Sequence, residues 1–570
     1  MPDLPAIQKR TYDLIVIGGG INGAATARDA ALRGLVVLLL DKDDFAGGTT
    51  SWSTRLVHGG LRYLEYFEFA LVRESLRERE ILLRTAPHLV KPIQLTIPIY
   101  RGGSRHYWEI QAGMVLYDTL SYDKSLPNHR MLPAKKFRQL FRSVDHEAAQ
   151  GAAQYYDGQV EYAERLCLEI VLDAKAAGAD VLNYTTVTDL KRQGDRITGL
   201  TIHHQHSGQT LDISLPAAAV VANIAGPWVD QILGLGRQTA QADDFGSDRK
   251  IGGTKGSHII VDPFPGAPDT ALYVEAKSDG RPYFIVPWLG QYLIGTTDLP
   301  YDGDLNAVKA DDAEIDYLLK ETNQVLPTAH LTRDHVRFTY SGVRPLPYSE
   351  GKKAGSITRS HILYDHTREG VSNLLSLIGG KLTTHRQVGE EITDWAFKKR
   401  RQPIPTCPTR DRPLPGCIWP DDDRLQQVFA RYGDRIPSNG LDYLNQVYGA
   451  NAPGVLALVD EIPELAQPIQ ADRPEIQAQI VYAVRSEMAQ TLLDITRRRT
   501  TLAMAGNYGL DILPTLLDIL QRHCDWQPDR CEQQLQAYQT FMEENCMPDY
   551  AIQSPSGSRP QAVATAASDL

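Results

Sequence analysis

Residues 12–41 read YDLIVIGGGINGAATARDAALRGLVVLLLD, and that order of residues restricts the fold more than any other stretch. Three apolar β-formers, Ile15, Val16 and Ile17, run into Gly18, Gly19 and Gly20. A small-residue helix follows Gly23, and a second apolar strand over 35–40 closes on Asp41. Strand, glycine turn, helix, strand and terminal acid make up a dinucleotide-binding unit. In it Gly18 makes the tight turn, Gly20 lets the backbone approach a pyrophosphate, and Gly23 permits close helix–sheet packing. The helix N-terminus offers its free N–H groups to the phosphates, and Asp41 is placed to bond a ribose hydroxyl. An ordinary glycine turn in an α/β sheet would leave Asp41 without a role.

A chain of 570 residues holds roughly three or four domains' worth of sequence. Its formal charge of −11 argues against general nucleic-acid binding. The six cysteines (Cys167, Cys407, Cys417, Cys524, Cys531 and Cys546) form no C-x-x-C pair and no Cys/His cluster at zinc spacing. They read as reduced thiols of a cytosolic protein, and no metal site is expected. No run approaches the ~18–20 apolar residues of a membrane span. The first ten residues are polar and too short for a signal peptide, so a cytoplasmic location is expected.

Past Asp41, the residues Gly47, Gly48, Thr49, Thr50, Ser51 and Ser53 form a hydroxyl-rich loop suited to wrap a phosphate or ring edge. Gly59-Gly60 is a second point of close approach. From Leu61 the apolar positions Leu64, Phe67, Leu71, Leu76 and Ile81 predict a helix that Pro87 stops. Residues 92–156 are expected to be irregular and to cover a site. Residues 163–178 predict a helix, and 181–184, 197–203 and 210–215 predict strands returning to the first sheet. The apolar run 217–225 enters the turn Gly226-Pro227-Trp228. Over 251–298, period-two alternation predicts an antiparallel sheet distinct from the parallel one. Residues 311–326 predict a helix, 338–347, 357–359 and 374–380 strands, and 382–400 a helix with a basic end. A Pro-rich linker over 403–415 leads to a mostly helical stretch over 422–544, amphipathic around 477–498 and 513–522. Residues 551–570 have the composition of a disordered tail.

The predicted class is α/β. A Rossmann-like cofactor domain comprises 11–90, 155–235 and 335–400, with an inserted antiparallel-sheet substrate or cap domain over 91–154 and 236–334. A helical C-terminal domain covers 416–548, and the tail covers 551–570.

The opening motif does not separate FAD from NAD. A downstream strand ends in Gly379-Gly380-Lys381, and a helix begins at Thr383-Thr384. The long FAD molecule needs such a remote element, whose helix N-terminus or lysine stabilises charge growing on the reduced ring. The stretches HGGLRYLE, KGSHIIV, IGTTD, YSGVRPL and GGKLTTHR, together with the opening motif, resemble the FAD-dependent glycerol-3-phosphate dehydrogenases. Those enzymes have the D-amino-acid-oxidase fold. The likeness spans about residues 11–400, with a helical domain following. It implies non-covalent FAD and oxidation of sn-glycerol 3-phosphate to dihydroxyacetone phosphate. Electrons would go to a membrane quinone, or in some members to oxygen. The cofactor residues read from these motifs are Gly18, Gly20, Gly23, Asp41, Thr49, Thr50, Ser51, His58, Gly59, Gly226, Gly379, Gly380, Lys381, Leu382 and Thr383. Arg55 stands where the family commonly has Lys, Ala225 where it has Thr, and His385 where it has Tyr.

A phosphate near its dianionic form needs several cations, preferably arginines that fork onto its oxygens. The motifs supply Arg62, Arg344, Arg359 and Lys381, and the resemblance implies that these hold phosphate and hydroxyls with Tyr63 lining the same cavity. Oxidation also requires a base for the C2 hydroxyl proton, and a neutral histidine suits. The family pattern points to His258, with His58 the alternative and Arg344 sharing the role by lowering the alcohol's pKa. The basic groups at 398–401 and 497–499 are either solvated helix ends or, with a quinone acceptor, peripheral lipid contacts. A homodimer is compatible with the sequence. The rival readings are an oxidase releasing peroxide, an oxidoreductase for hydroxy or amino acids, and a flavin-binding scaffold with a dead site.

Overall fold

The computed structural model describes residues 3–103, 105–235, 248–350, 357–419, 422–504 and 506–553. Within it, Leu14–Ile17 and Val37–Leu40 are strands buried at every position, joined by the helix Ile21–Leu32. They pair in parallel from Leu14 with Val37 to Ile17 with Leu40. Strands covered on both faces need continuous apolar runs, which both supply. The sheet has six strands in the order Ile362–Asp365, Leu374–Ile378, Val220–Asn223, Leu14–Ile17, Val37–Leu40 and Asp180–Leu182. All neighbours run parallel except the edge strand Ile362–Asp365. Alternation along the strands sorts the two faces. Leu14, Val16, Val37 and Leu39 pack with Ala24, Ala27, Leu166 and Val388 of three helices. Ile15, Ile17, Leu38 and Leu40 cluster with Val187, Leu200 and Ile213.

Those last three residues belong to a separate antiparallel meander, Thr185–Gln193, Arg196–His204 and Gln209–Ser214. Only the flanking strands Asp180–Leu182 and Val220–Asn223 return to the first sheet, so the expectation that all these pieces return to it is corrected.

The larger sheet follows the order Leu299–Pro300, Thr254–Val261, Gln291–Gly295, Pro282–Trp288, Ala271–Glu275, Val90–Tyr100, Ala149–Val160 and Leu56–Val57. Val336–Arg344 also pairs with Thr254–Val261, and Arg130–Pro133 with Ala149–Val160. It is antiparallel apart from the short parallel contact of Ala271–Glu275 with Val90–Tyr100. Residues 92–156 are therefore not irregular: they hold strands and the helices Tyr107–Leu120 and Ala134–Leu140. Boundaries at 154 and 335 run through this sheet, because Ala149–Val160 crosses the first and Val336–Arg344 follows the second.

Two helices differ from expectation. The stretch from Leu61 is a 3₁₀ segment, Leu61–Tyr66, broken at left-handed Phe67 (φ 58°) before the helix Phe69–Thr85 begins. The amphipathic stretch 477–498 is split into Gln477–Arg485 and a π-helical turn, Asp494–Arg499. Beyond the linker the chain is helical, and Leu444, Val455, Ile480 and Leu516 join the same apolar core as the first sheet's helices. The helix Asp549–Gln553 takes in the first residues of the expected tail, whose remainder, 554–570, lies outside the described residues. Residues 357–359 form no strand.

Candidate active site

A groove opens at the carboxyl ends of the parallel strands, where open α/β sheets place their ligands. It is lined by Ile17, Gly18, Gly20, Asn22, Asp41, Asp43, Thr49, Thr50, Gly226, Trp228, Gly379, Gly380, Lys381 and Leu382, with Thr185, Thr186 and Val187 of the meander. Gly18 has φ +111°, and a Cβ there would lie 2.5 Å from the Ile224 carbonyl oxygen. A Cβ at Gly23 would stand 1.8 Å from the Gly18 oxygen, so the helix rests directly on the turn. At Gly20 a Cβ would meet only Thr50 Oγ1 at 3.4 Å, an ordinary contact. Protein atoms do not demand glycine there, but a ligand in the groove would.

The rest of the groove is built from nearby loops. Asp41 Oδ2 accepts the Gly19 N–H at 2.6 Å, and burial, then Asp43, raises the carboxyl to about 7. Thr50 Oγ1 accepts the Ile21 N–H at 3.0 Å, and Thr49 Oγ1 donates to the Val343 carbonyl at 2.8 Å. Ser51, expected beside them, is buried and donates to the Ala46 carbonyl, so it braces the loop instead of lining the groove. His58 and Gly59 also lie behind the groove. The His58 N–H donates to Thr383 Oγ1 (3.2 Å), and the Gly59 N–H to the Tyr117 hydroxyl oxygen (3.0 Å). Gly379 and Gly380 take φ +83° and +97°, and a Cβ at Gly380 would come within 2.8 Å of Asn22 Nδ2. Asn22 Oδ1 and Lys381 Nζ are both buried and have no hydrogen-bond partner among the described residues. A long groove with a glycine turn and helix start at one element, and a second glycine turn with an unspent lysine at another, fits a dinucleotide that carries a ring system.

The cations converge on Tyr63. Lys381 Nζ sits over its ring at 4.1 Å, and Arg62, Arg344 and Arg359 all lie close enough to favour its ionised form, although burial is the larger influence and raises the phenol's pKa. Arg62, Tyr63, Tyr66, Glu68, Thr358 and Arg359 line a cavity of ≈ 240 Å³. Arg344 Nη1 and Arg359 Nη2 donate to opposite oxygens of Asp298 at 3.0 and 3.2 Å. Burial raises that carboxyl, but Arg344 and then Arg359 outweigh it and hold it below its usual range. Arg359 Nη1 remains buried without an acceptor among the described residues. Burial, against the pull of Glu74 and Glu68, brings the Lys381 ammonium down to about 7.

His258 lies on Thr254–Val261, next to one end of the larger sheet, paired with Gly295 on one side and Tyr340 on the other. Its ring stacks on Tyr340 at 4.7 Å, and Nε2 is 2.9 Å from Thr54 Oγ1. Nδ1 has no partner. Burial, then Arg344 and Arg55, hold the imidazole well below the usual histidine range, so it stays neutral. It lines neither cavity; the partly exposed Thr54 hydroxyl is its contact outward. Two glycines make room for these groups. A Cβ at Gly295 would strike the His258 ring at 2.4 Å, and one at Gly256 the Arg344 guanidinium at 2.4 Å.

Sequence reasoning missed Asp298, Thr54, Asn22 and the meander's share of the groove. Asp298 closes the quoted IGTTD stretch and Asn22 sits within GGGIN; the other two carried no signal. Arg55 is no site cation: it is fully buried, forks onto Glu164 with two 2.7 Å bonds and stacks on Trp288. His385 is buried behind the turn, its Nδ1 2.7 Å from the Leu382 carbonyl oxygen. Arg497, Arg498 and Arg499 are at most 8% exposed, so they are neither solvated helix ends nor lipid contacts. Arg400 pairs with Asp13 and Lys399 with Asp365, while Lys398 and Arg401 of that group stay exposed.

The FAD dependent oxidoreductase family matches residues 13–395, and the C-terminal domain of alpha-glycerophosphate oxidase matches residues 407–531. A glycerol-3-phosphate dehydrogenase of Synechocystis sp. is 59% identical over 97% of this chain and 100% of its own length. A D-erythritol 1-phosphate dehydrogenase of Brucella abortus is 37% identical over 86% of this chain and 95% of its own. The solved glycerol-3-phosphate dehydrogenase of Bacillus halodurans, complexed with FAD, superposes with a TM-score of 0.72 at 26% identity, covering 95% of this chain and 96% of that one.

Proposed function

The chain belongs to the FAD-dependent oxidoreductase family, and from that premise we propose that it oxidises sn-glycerol 3-phosphate to dihydroxyacetone phosphate. FAD supplies the hydride acceptor, N5 of its ring, when bound in the groove. Gly18, Gly20 and the start of the helix Ile21–Leu32 hold its phosphates, Asp41 its ribose, and Gly379, Gly380 and Lys381 its far end. Arg62, Arg359, Arg344 and Lys381 grip the substrate's phosphate and hydroxyls, with Asp298 fixing two of the three guanidinium groups in place. The C2 hydroxyl proton leaves by way of Thr54, whose Oγ1 takes it as its own hydroxyl proton passes to the neutral Nε2 of His258, 2.9 Å away. Arg344 lowers the alcohol's pKa. Loss of that proton and of the C2 hydride leaves the ketone.

The observation that carries this reading is the set of unspent cations: Arg359 Nη1 and Lys381 Nζ, buried without an acceptor and gathered with Arg62 and Arg344 around Tyr63. Burying such donors unpaired costs several kcal/mol, about 1–3 for each, which an anionic ligand recovers. The test is anaerobic mixing. Glycerol 3-phosphate should bleach the flavin, and Arg62→Ala should raise KM for it by ~10-fold or more with little change for unphosphorylated glycerol. Equal changes for the two substrates would take Arg62 out of the phosphate site, and no bleaching by glycerol 3-phosphate would defeat the reading. A longer sugar-alcohol phosphate is the second reading, favoured by kinship with the Brucella enzyme; relative bleaching rates decide between them.

Electrons then pass to a quinone, with the protein at the cytoplasmic face of a membrane. Among the described residues no helix is long and apolar enough to cross one. The support is an exposed apolar face: Tyr66, Phe67, Phe69, Trp108, Val115 and Tyr122. Dye-linked turnover that far exceeds oxygen consumption is the expected result, and the reverse would make the enzyme an oxidase.

A further inference from the structure

The C-terminal domain contributes none of the residues that line the cofactor groove, the last of which is Leu382. Yet it packs against the loop that forms part of the groove's wall, with Arg497 and Phe541 on Trp52 and a buried ionic contact at Asp44. The loop after Val37–Leu40 supplies Asp41, Lys42, Asp43, Gly48, Thr49 and Thr50 to that wall. Asp44, in the middle of the loop, points the other way and is fully buried. Its Oδ2 accepts from Arg498 Nε at 2.7 Å and from Arg499 Nη1, and its Oδ1 accepts from Arg499 Nη2 at 3.0 Å and Asn183 Nδ2 at 2.9 Å. Burial alone would raise this carboxyl, but Arg499 and Arg498 hold it below its usual range.

The two arginines are themselves fixed. Arg498 Nη2 donates to Asp494 Oδ1 (2.5 Å), and Asp494 Oδ2 accepts the Gln490 and Thr491 N–H groups at 2.7 and 2.9 Å. Arg499 Nη2 also donates to the Glu487 carbonyl at 2.7 Å. The Tyr184 hydroxyl donates to Asp494 Oδ1, and Asn183 Nδ2 to the Met488 carbonyl, so the edge of the first domain is bound into the same network. Two carboxylates and two guanidinium groups balance in charge, which is what allows four ions to be buried together.

The residues next to Asp44 carry its position to the glycine turn. The Ala46 N–H donates to the Gly19 carbonyl at 3.1 Å. The Phe45 ring lies against Gly19, where a Cβ would meet it at 2.5 Å. Asp41, three residues before, accepts the Gly19 N–H. Gly19 is thus held on both sides by the loop that the arginines anchor.

We propose that Arg498 and Arg499 are positioning residues for the cofactor: through Asp44 the C-terminal domain sets the loop and the glycine turn to the spacing that FAD requires. The proposal rests on the family reading of the groove as a FAD site. It assigns the C-terminal domain a role in cofactor retention, with Asp44 as the point of transmission.

The test is titration of FAD into apoprotein, read by quenching of flavin fluorescence, together with the melting temperature of each apoprotein. Arg499→Lys keeps the charge but loses the fork, and Asp44→Asn keeps the shape and the Asn183 bond but loses the counter-ion. Each should weaken FAD binding at least tenfold. Thr339→Val removes another buried tie to the C-terminal domain, the 2.7 Å bond from Thr339 Oγ1 to the Cys546 carbonyl, which shares no residue with this network. It should leave FAD affinity within twofold of wild type even where it lowers the melting temperature. Affinity that falls equally in all three variants, or in none, overturns the proposal. Where Asp44→Asn does not fold, Arg498→Lys takes its place with the same expected loss. Wild-type apoprotein that takes up no FAD would overturn the family reading itself, a result distinct from wild-type uptake with unchanged variants.

Discussion

Lys381 is kept from water with its ammonium over an aromatic ring and no carboxylate in reach of a hydrogen bond. A lysine held at about 7 is charged below that pH and neutral above it. An anion bound beside it favours the charged form, so binding should be strongest on the acid side and weaken as the proton is lost. KM for glycerol 3-phosphate is expected to rise above about pH 7 by up to about tenfold per unit, until the pKa of the complex is passed. The substrate's second phosphate ionisation works in the opposite sense, and Lys381→Met retains only that contribution. The wild-type to variant ratio of KM, measured across pH 6 to 9, isolates the lysine; a ratio that does not vary with pH would exclude it. The lysine itself was legible, because GGKLTT places it at a strand end. Asp298 was not, because its two arginines lie 46 and 61 residues away in sequence and only the fold brings them together. The same holds for Gly256 and Gly295, whose motifs were visible as strands while their purpose, room for Arg344 and His258, needs three strands side by side.

At the level of elements, the parallel sheet was readable because buried strands must be continuous apolar runs and the glycines fix their turns. The strand Val90–Tyr100 was not, since Pro92 and Pro98 interrupt it. Both prolines pair with Ala149–Val160 on one side, at Gly158 and Ala152, while the other edge is paired only at Leu95 and Thr96. The prolines therefore sit where no N–H is required. The same distinction between what neighbours demand and what a ligand demands separates two glycines of the opening turn. Gly23→Ala drives a Cβ into the Gly18 main chain, which has no side chain to move aside. It should cost the apoprotein more than about 2 kcal/mol of stability. Gly20→Ala meets only an ordinary contact and should leave the apoprotein's stability within about 0.5–1 kcal/mol while weakening FAD at least tenfold. Chemical denaturation of the apoproteins alongside FAD titration checks both. Comparable stability losses in the two variants would show that Gly20, too, is a packing residue.

Across the whole molecule, the charge runs misled where the burial pattern would have corrected them. Arg497, Arg498 and Arg499 look like a basic surface only in one dimension; in the fold, buried acids from distant segments neutralise them. The surface we propose for lipid contact is apolar instead. Phe67 and Tyr122 are 78% exposed and Trp108 is 74% exposed. They stand on the segment Leu61–Tyr66 with its turn and on the helices Phe69–Thr85 and Tyr107–Leu120, which pack against one another. Along the second of these helices Trp108 and Val115 are seven residues apart, on one face, and the exposed Tyr122 stands in the turn after its end. Aromatic rings with a polar rim prefer the membrane–water interface, and Arg62 and Tyr66, which line the cation pocket, border this face. Burying two such rings is worth about 3–6 kcal/mol, the sum of ~1.5–3 for each. Phe67→Ser with Trp108→Ser should therefore reduce co-sedimentation with phospholipid vesicles at least tenfold, while anaerobic flavin reduction by glycerol 3-phosphate in solution stays unchanged. Replacing Lys398 and Arg401 by Gln, at the exposed end of the basic helix, should have a much smaller effect. Vesicle binding that survives the first pair and fails with the second would return membrane contact to the charged surface.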